Sequence, residues 1–219
     1  MNDIARVATP RLGLSIAIAA VGILLSACSG RPGNALQQAI AIPRNAVSAS
    51  CGMQIAGSPG PRGEVFVNGR KTPLIFGSTR DLLGYVLQPE NRERLGSIYV
   101  QDSAHINWRH PSNAASSFIL ARKAYYVAWQ TQPGSMGPTL ATFGDMNAAM
   151  AYRQMHGGQI LRYQQITPEL VSLLSYDCPK PGSPVASLAR QCLDGNATDN
   201  ATITSGTDGM MQMGDDKKN

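Results

Sequence analysis

Charge is scarce in this 219-residue chain: Lys, Arg, Asp and Glu together make up 15%. The basic residues are scattered singly, and no Lys/Arg stripe runs along any segment. A nucleic-acid binder concentrates such residues on one face, so no nucleic-acid partner is expected. Histidine is limited to three residues, and phenylalanine to four. Four cysteines are too few for a disulfide mini-protein of this length. The N-terminal apolar run, Leu12 to Leu25, falls short of the 18 or more residues a spanning helix needs. There is no Gly-x-Ser-x-Gly, phosphate loop, His-Glu-x-x-His or Cys-x-x-Cys, so no catalytic constellation stands out and an enzyme is not expected. What is abundant is glycine (22), proline (14) and methionine (9), against an apolar fraction of 43% that is ample for a core. Turns and loops rather than long helices follow from that balance.

The first 27 residues read as an address. Arg6 and Arg11 precede the apolar run, which ends in Leu25-Ser26-Ala27-Cys28. A basic start, an apolar stretch and small residues at the end describe an export signal. The last four residues resemble the lipobox of bacterial lipoproteins, which implies cleavage before Cys28 and lipidation of that cysteine. Ser29, rather than Asp, goes with the outer membrane. The alternative is an ordinary signal peptide that leaves Cys28 as a free thiol. Cleavage removes Asp3, Arg6 and Arg11, leaving 17 basic and 13 acidic side chains, a charge of +4. Screening leaves little steering from so mild and scattered a charge.

Residues 28–50 read as a lipidated tether with Gly30, Pro32, Gly33 and Pro43, and at most a short helix over 35–42. The folded core is expected over 51–175, and a low-order tail over 176–219. Within the core two stretches resemble each other. Pro73 to Ser78 and Pro138 to Gly144 each read as a short strand ending at Phe-Gly, then a polar cap and a helix. Ser78 and Asp81 resemble a capping box with Asp in the place of Glu, and Asp145 suits an N-cap. Met146, Ala149, Met150 and Arg153 recur at helical spacing and suggest a packed stripe. Gly157-Gly158 stops that helix. With strands expected at 64–68, 97–100, 117–120, 124–129 and 160–163, the pattern is α+β: two ββαβ units, about 51–103 and 104–175, that pack together.

Three sulfurs are candidates for metal chemistry. In a strand, Cys51 and Met53 of Cys51-Gly52-Met53 would point to one face, and thiolate with thioether is a soft donor pair suited to Cu(I). The competing reading is a buried Cys and Met filling core. Met136, in Gly134-Ser135-Met136-Gly137-Pro138, is poorly placed for core packing and would offer a surface thioether, or else plug a nearby gap. His105, after a strand and near Asp102, is a possible imidazole donor. His110 reads as exposed, and His156 sits at a helix end where a cation suits the dipole. Trp108 and Trp129 read as structural. Cys178 and Cys192 bracket a Pro-rich loop, and in an oxidising compartment a disulfide is the expectation. Met210, Met211 and Met213 crowd the tail, either as loose Cu(I) donors or as plain tail.

Taken in order, these pieces resemble the NosL family, lipoproteins accessory to nitrous-oxide reductase. The matching text runs from the lipobox through Cys51-Gly52-Met53-Gln54-Ile55, Gly60-Pro61-Arg62-Gly63 and Phe76-Gly77-Ser78-Thr79-Arg80-Asp81-Leu82. It continues with Tyr99-Val100-Gln101-Asp102, Trp108, Met136-Gly137-Pro138-Thr139-Leu140 and His156-Gly157-Gly158-Gln159-Ile160-Leu161. The resemblance implies a periplasm-facing copper chaperone with Cys51, Met53 and Met136 on Cu(I). Its implied partners are nitrous-oxide reductase, in denitrification, and an ABC-type maturation complex. Gln101-Asp102 stands where many members have His-Asp, which removes one imidazole. Two other readings compete: a lipoprotein without metal, and an enzyme like organomercurial lyase, whose pocket needs a second cysteine that this core lacks.

Overall fold

The structure is a computed structural model that describes residues 36–195. The export signal over 1–27, Cys28, and the tail methionines Met210, Met211 and Met213 lie outside the described residues. No helix among the described residues is long and apolar enough to cross a membrane.

The first half forms β1 (Gly63–Val67), β2 (Leu74–Phe76), α1 (Thr79–Val86) and β3 (Leu95–Gln101). β4 (Phe118–Leu120), β5 (Tyr125–Ala128) and the short strands β6 (Pro133–Gly134) and β7 (Gly137–Pro138) follow. The chain then makes β8 (Ala141–Phe143), α2 (Met146–His156), β9 (Gln159–Arg162) and the one-turn α3 (Pro168–Ser172). The larger sheet has the order β2-β1-β3-β4, and the smaller β8-β5-β9, with every pairing antiparallel. Both halves therefore place the first strand of the unit in the centre, the second on one side and the post-helical strand on the other. This is the α+β arrangement of two ββαβ units. One strand departs from the expected partition: Phe118–Leu120, expected at the start of the second unit, pairs with Tyr99–Gln101 and extends the first sheet.

Local chemistry accounts for the helix ends. Ser78 accepts the Asp81 N–H at 3.1 Å, and Asp145 accepts the Ala148 N–H at 3.0 Å. Each satisfies an amide that the first turn leaves without a partner. Gly157, with φ +71°, ends α2. The Met stripe on α2 does not pack as the spacing suggests. Ala149 and Tyr152 are the buried residues of that helix, while Met146 and Met150 are exposed. Tyr152 is large enough to fill the space over β5 and β8, so the helix is rotated to bury the aromatic ring, and the methionines lie to one side.

Alternation along the strands divides the interior into layers. Val65, Val67, Phe76, Ile98 and Val100 of the first sheet share one cluster with Tyr126, Ala128 and Leu161 of the second and with residues of α1 and α3. The opposite face of the second sheet packs Val127, Ala141 and Phe143 against α2. The opposite face of the first sheet carries Phe66, Tyr99 and Phe118, with Ile42 packed on them. Ile42 belongs to the segment read as tether. Residues 36–42 form no helix; they cross the outer face of the first sheet as an extended strap. Gln37 N–H reaches Ser97 Oγ at 3.0 Å, Tyr99 O–H reaches the Gln37 carbonyl at 2.6 Å, and Ile42 N–H reaches the Asn113 carbonyl at 2.9 Å. Burying Ile42 over that aromatic floor contributes roughly 2 kcal/mol, which together with these hydrogen bonds offsets part of the entropy lost in ordering the segment.

The expected tail is also shorter than its composition implies. Cys178 and Cys192 are joined by a disulfide. Val185, between them, is buried in the shared cluster. Leu193 exchanges both backbone hydrogen bonds with Gly158. The cross-link limits the freedom of the unfolded loop, so a proline-rich segment whose larger apolar residues are only Val185 and Leu188 can still dock.

Candidate functional site

Cys51, Gly52 and Met53 do not lie in a strand. A single bridge, Val47 with Gln54, closes a tight loop whose ends are held by Ser48 N–H to the Met53 carbonyl (2.8 Å) and Gly52 N–H to the Ser48 carbonyl (2.8 Å). Gly52 has φ +71° with open space around its Cα, so the glycine is needed for backbone conformation rather than for clearance. Cys51 is the only free cysteine among the described residues, and it is exposed. Met53 is 50% exposed. The reading of these two as core filler is thereby excluded.

The second sulfur element is the β6–β7 hairpin. Pro133 pairs with Pro138 and Gly134 with Gly137, leaving Ser135 and Met136 as the two-residue tip. Met136 is 49% exposed.

The two loops meet at the end of β2. Ala49 N–H bonds the Ile75 carbonyl at 2.8 Å, and Gly77 N–H bonds Ser48 Oγ at 3.3 Å. A Cβ placed on Gly77 would sit 3.0 Å from Ser135 Oγ and 3.9 Å from Ser48 Cβ. The residue next to Met136 and the residue that anchors the Cys51–Met53 loop therefore both pack on Gly77. A side chain there would crowd the Ser135 hydroxyl, which would have to turn away. A cleft of about 620 Å³ opens beside the thiol loop, bordered by Ser50, Phe76, Arg80, Asp81 and Tyr85.

Support for the thiol loop comes from Arg62, which is buried. Its guanidinium donates to Asn113 Oδ1, to the Ile55 carbonyl at 3.2 Å and to the Ser58 carbonyl at 3.5 Å. Burial without a carboxylate partner lowers its pKa from the usual guanidinium value. In the sequence this residue stands out only as part of Gly-Pro-Arg-Gly; nothing in its spacing signals that it props the loop after Met53.

The histidines are placed elsewhere. His105 is 74% exposed on its side chain, with Nδ1 3.2 Å from Asp102 Oδ2. Asp102 also accepts the Ala104 and Gly144 N–H groups. None of these bonds links His105 to the sulfur loops. His156 packs at a tilt against the Tyr152 ring and meets the Gln132 amide at 3.3 Å. Burial lowers its pKa, so the helix-end cation suggested by the sequence is disfavoured. Gln101 is buried, accepting the Arg62 N–H and donating to the Ser112 carbonyl and Ser117 Oγ. It locks the core where an imidazole was a conceivable ligand. Among the described residues, no three His, Cys, Asp or Glu side chains converge. The donors that share a surface are a thiol and two thioethers, a soft set.

Fold and donors together define a two-unit α+β domain that presents sulfur on adjoining exposed loops. Residues 39–171 match the family NosL. The chain belongs to that family. It is 40% identical over 121 residues to the copper-binding lipoprotein NosL of Stutzerimonas stutzeri, a match covering 55% of this chain and 62% of that protein. With the copper-binding lipoprotein NosL of Achromobacter cycloclastes it shares 31% identity over 159 residues, covering 71% of this chain and 81% of the relative. The crystal structure of the copper chaperone NosL from Shewanella denitrificans superposes with a TM-score of 0.57 at 36% identity, covering 59% of this chain and 96% of the other.

Proposed function

We propose that the mature chain is a lipid-anchored Cu(I) chaperone that faces the periplasm from the outer membrane and supplies copper for the catalytic centre of nitrous-oxide reductase. The observation that carries the reading is the meeting at Gly77 of two loops bearing Cys51, Met53 and Met136. The names of the relatives, copper-binding lipoprotein and copper chaperone, point the same way. A thiolate and two thioethers suit Cu(I) over harder ions. Three or fewer protein ligands on exposed loops leave room for an acceptor's ligand to enter before a donor leaves. The protein is thus a carrier working by ligand exchange, with no bond-making step of its own. The lipid on Cys28 confines it to a surface, which raises encounters with an ABC-type maturation complex and the reductase.

The test is Cu(I) competition against a chromophoric chelator, using protein with Cys28 lipidated and the Cys178–Cys192 bridge intact. One Cu(I) per chain is expected. Cys51→Ser should abolish tight binding, Met136→Leu should weaken it about tenfold, and Met146→Leu on α2 should leave it unchanged. Unchanged stoichiometry and affinity in Cys51→Ser would overturn the assignment.

A further inference from the structure

Met136 stands on a hairpin with very little pairing of its own, closed by Gly134 with Gly137. Two of the four residues in its strands are Pro133 and Pro138, which have no N–H to give to a ladder. A two-stranded ribbon is marginal even when fully bonded. Its position must be set from behind.

Gln130 occupies that place. It is 1% exposed and its side-chain amide is fully used. Nε2 donates to the Gln132 carbonyl at 2.7 Å, on the arm entering the hairpin, and to the Thr139 carbonyl at 3.0 Å, on the arm leaving it. Oε1 accepts the Gln132 N–H at 2.6 Å and the Tyr152 O–H at 2.8 Å. Two donors and two acceptor positions are all that a primary amide has. The preceding residue, Trp129, has φ +58°, a left-handed conformation rare for a bulky side chain. The chain therefore turns sharply out of β5 at the point where Gln130 takes hold. From the side, Trp108 Nε1–H reaches the Pro133 carbonyl at 2.8 Å.

The geometry points to Gln130 as the positioning residue for Met136: its amide ties both arms of the hairpin to Tyr152 of α2 and so presents the thioether at the Cys51 loop before copper arrives. This rests on the copper reading above. Only an amide fits the role, since a carboxylate of the same shape has no donors for the Gln132 and Thr139 carbonyls.

The experiment compares full-length wild type, Gln130→Glu, Met136→Leu and the double variant in Cu(I) competition. Gln130→Glu should weaken binding by about the same tenfold as Met136→Leu, and should add less than twofold in the Met136→Leu background. An equal weakening in both backgrounds, or none in either, would overturn the proposal. Tyr152→Phe, which removes one bond to Oε1 and keeps the ring, should show a smaller loss with the same dependence on Met136. A copper-free readout keeps the two claims separate. In the apo protein, amide exchange at Gly134 and Gly137 should accelerate at least tenfold in Gln130→Glu, with β1 and β3 amides unchanged. Wild type that fails to bind Cu(I) sinks the functional reading alone; unaccelerated exchange at the hairpin sinks the positioning role.

Discussion

Glu64 is the acid whose removal should change how stability depends on pH. It is 0% exposed on β1, on the face that carries Phe66 and Tyr99, beneath the strap. Oε1 accepts the Ile40 N–H at 3.0 Å, and Oε2 has no hydrogen-bond partner. Desolvation raises its pKa to about 7 from an ordinary 4.5, against the smaller opposing effect of the Ile40 bond. Below pH 4.5 the carboxyl is protonated in both folded and unfolded chains and contributes no penalty. Between 4.5 and 7 the folded chain retains a proton that the unfolded chain has lost, so stability falls as pH rises. Above 7 both forms are ionised and the full penalty applies. A carboxyl raised from 4.5 to about 7 corresponds to about 3 kcal/mol. Glu64→Gln keeps the acceptor for Ile40 but leaves an amide N–H₂ where Oε2 was, which costs about 1–3 kcal/mol at every pH if it stays unpaired. The informative quantity is therefore the change in the wild-type-to-variant difference between pH 4.5 and pH 8. Urea unfolding at a series of pH values should show that difference moving by about 3 kcal/mol in favour of Glu64→Gln. Parallel curves for the two proteins would refute the reasoning.

Two other outcomes follow from packing. Replacing Cys178 and Cys192 together by Ser opens a loop with a sequence separation of 14 and should lower stability by about 3 kcal/mol. Calorimetry would check it, and exchange at Leu193 should rise with the loss. Arg62→Met strands the Asn113, Ile55 and Ser58 oxygens, partly offset by relief of a desolvated charge, for a net loss of about 2–4 kcal/mol. Urea midpoints would measure it, and hydrogen exchange over residues 55–58 should locate it.

Much of the fold could be read from residue patterns because the signals were local. Ser78, Asp145 and Gly157 act within one turn of chain, and the strands of both units follow their hydrophobic runs. What was not legible depends on contacts distant in sequence. Phe118–Leu120 joins the first sheet because its partner edge is Tyr99–Gln101, a choice that no pattern within the strand encodes. Rotation of α2 to bury Tyr152 instead of Met146 and Met150 follows from the shape of the sheet below. Cys51, Met53 and Met136 were legible as soft donors, yet their meeting at Gly77 required the fold. Gln130 carried no sequence signal, since a lone glutamine after a tryptophan resembles any strand end.

Under the proposed lipid anchor at Cys28, the strap sets how far the fold can stand from the membrane. A leash from Cys28 to Ser50 would extend to roughly 75 Å at about 3.4 Å per residue. Gln37 is already fastened to Ser97, so with Cys28 lipidated only nine peptide units separate lipid from fold, at most roughly 30 Å. The folded domain then samples a thin layer above the bilayer. Shortening a connection by that ratio raises the local concentration seen by another membrane-held protein several-fold. On the proposed copper-carrier reading, transfer would favour acceptors whose own docking faces lie close to the lipid surface.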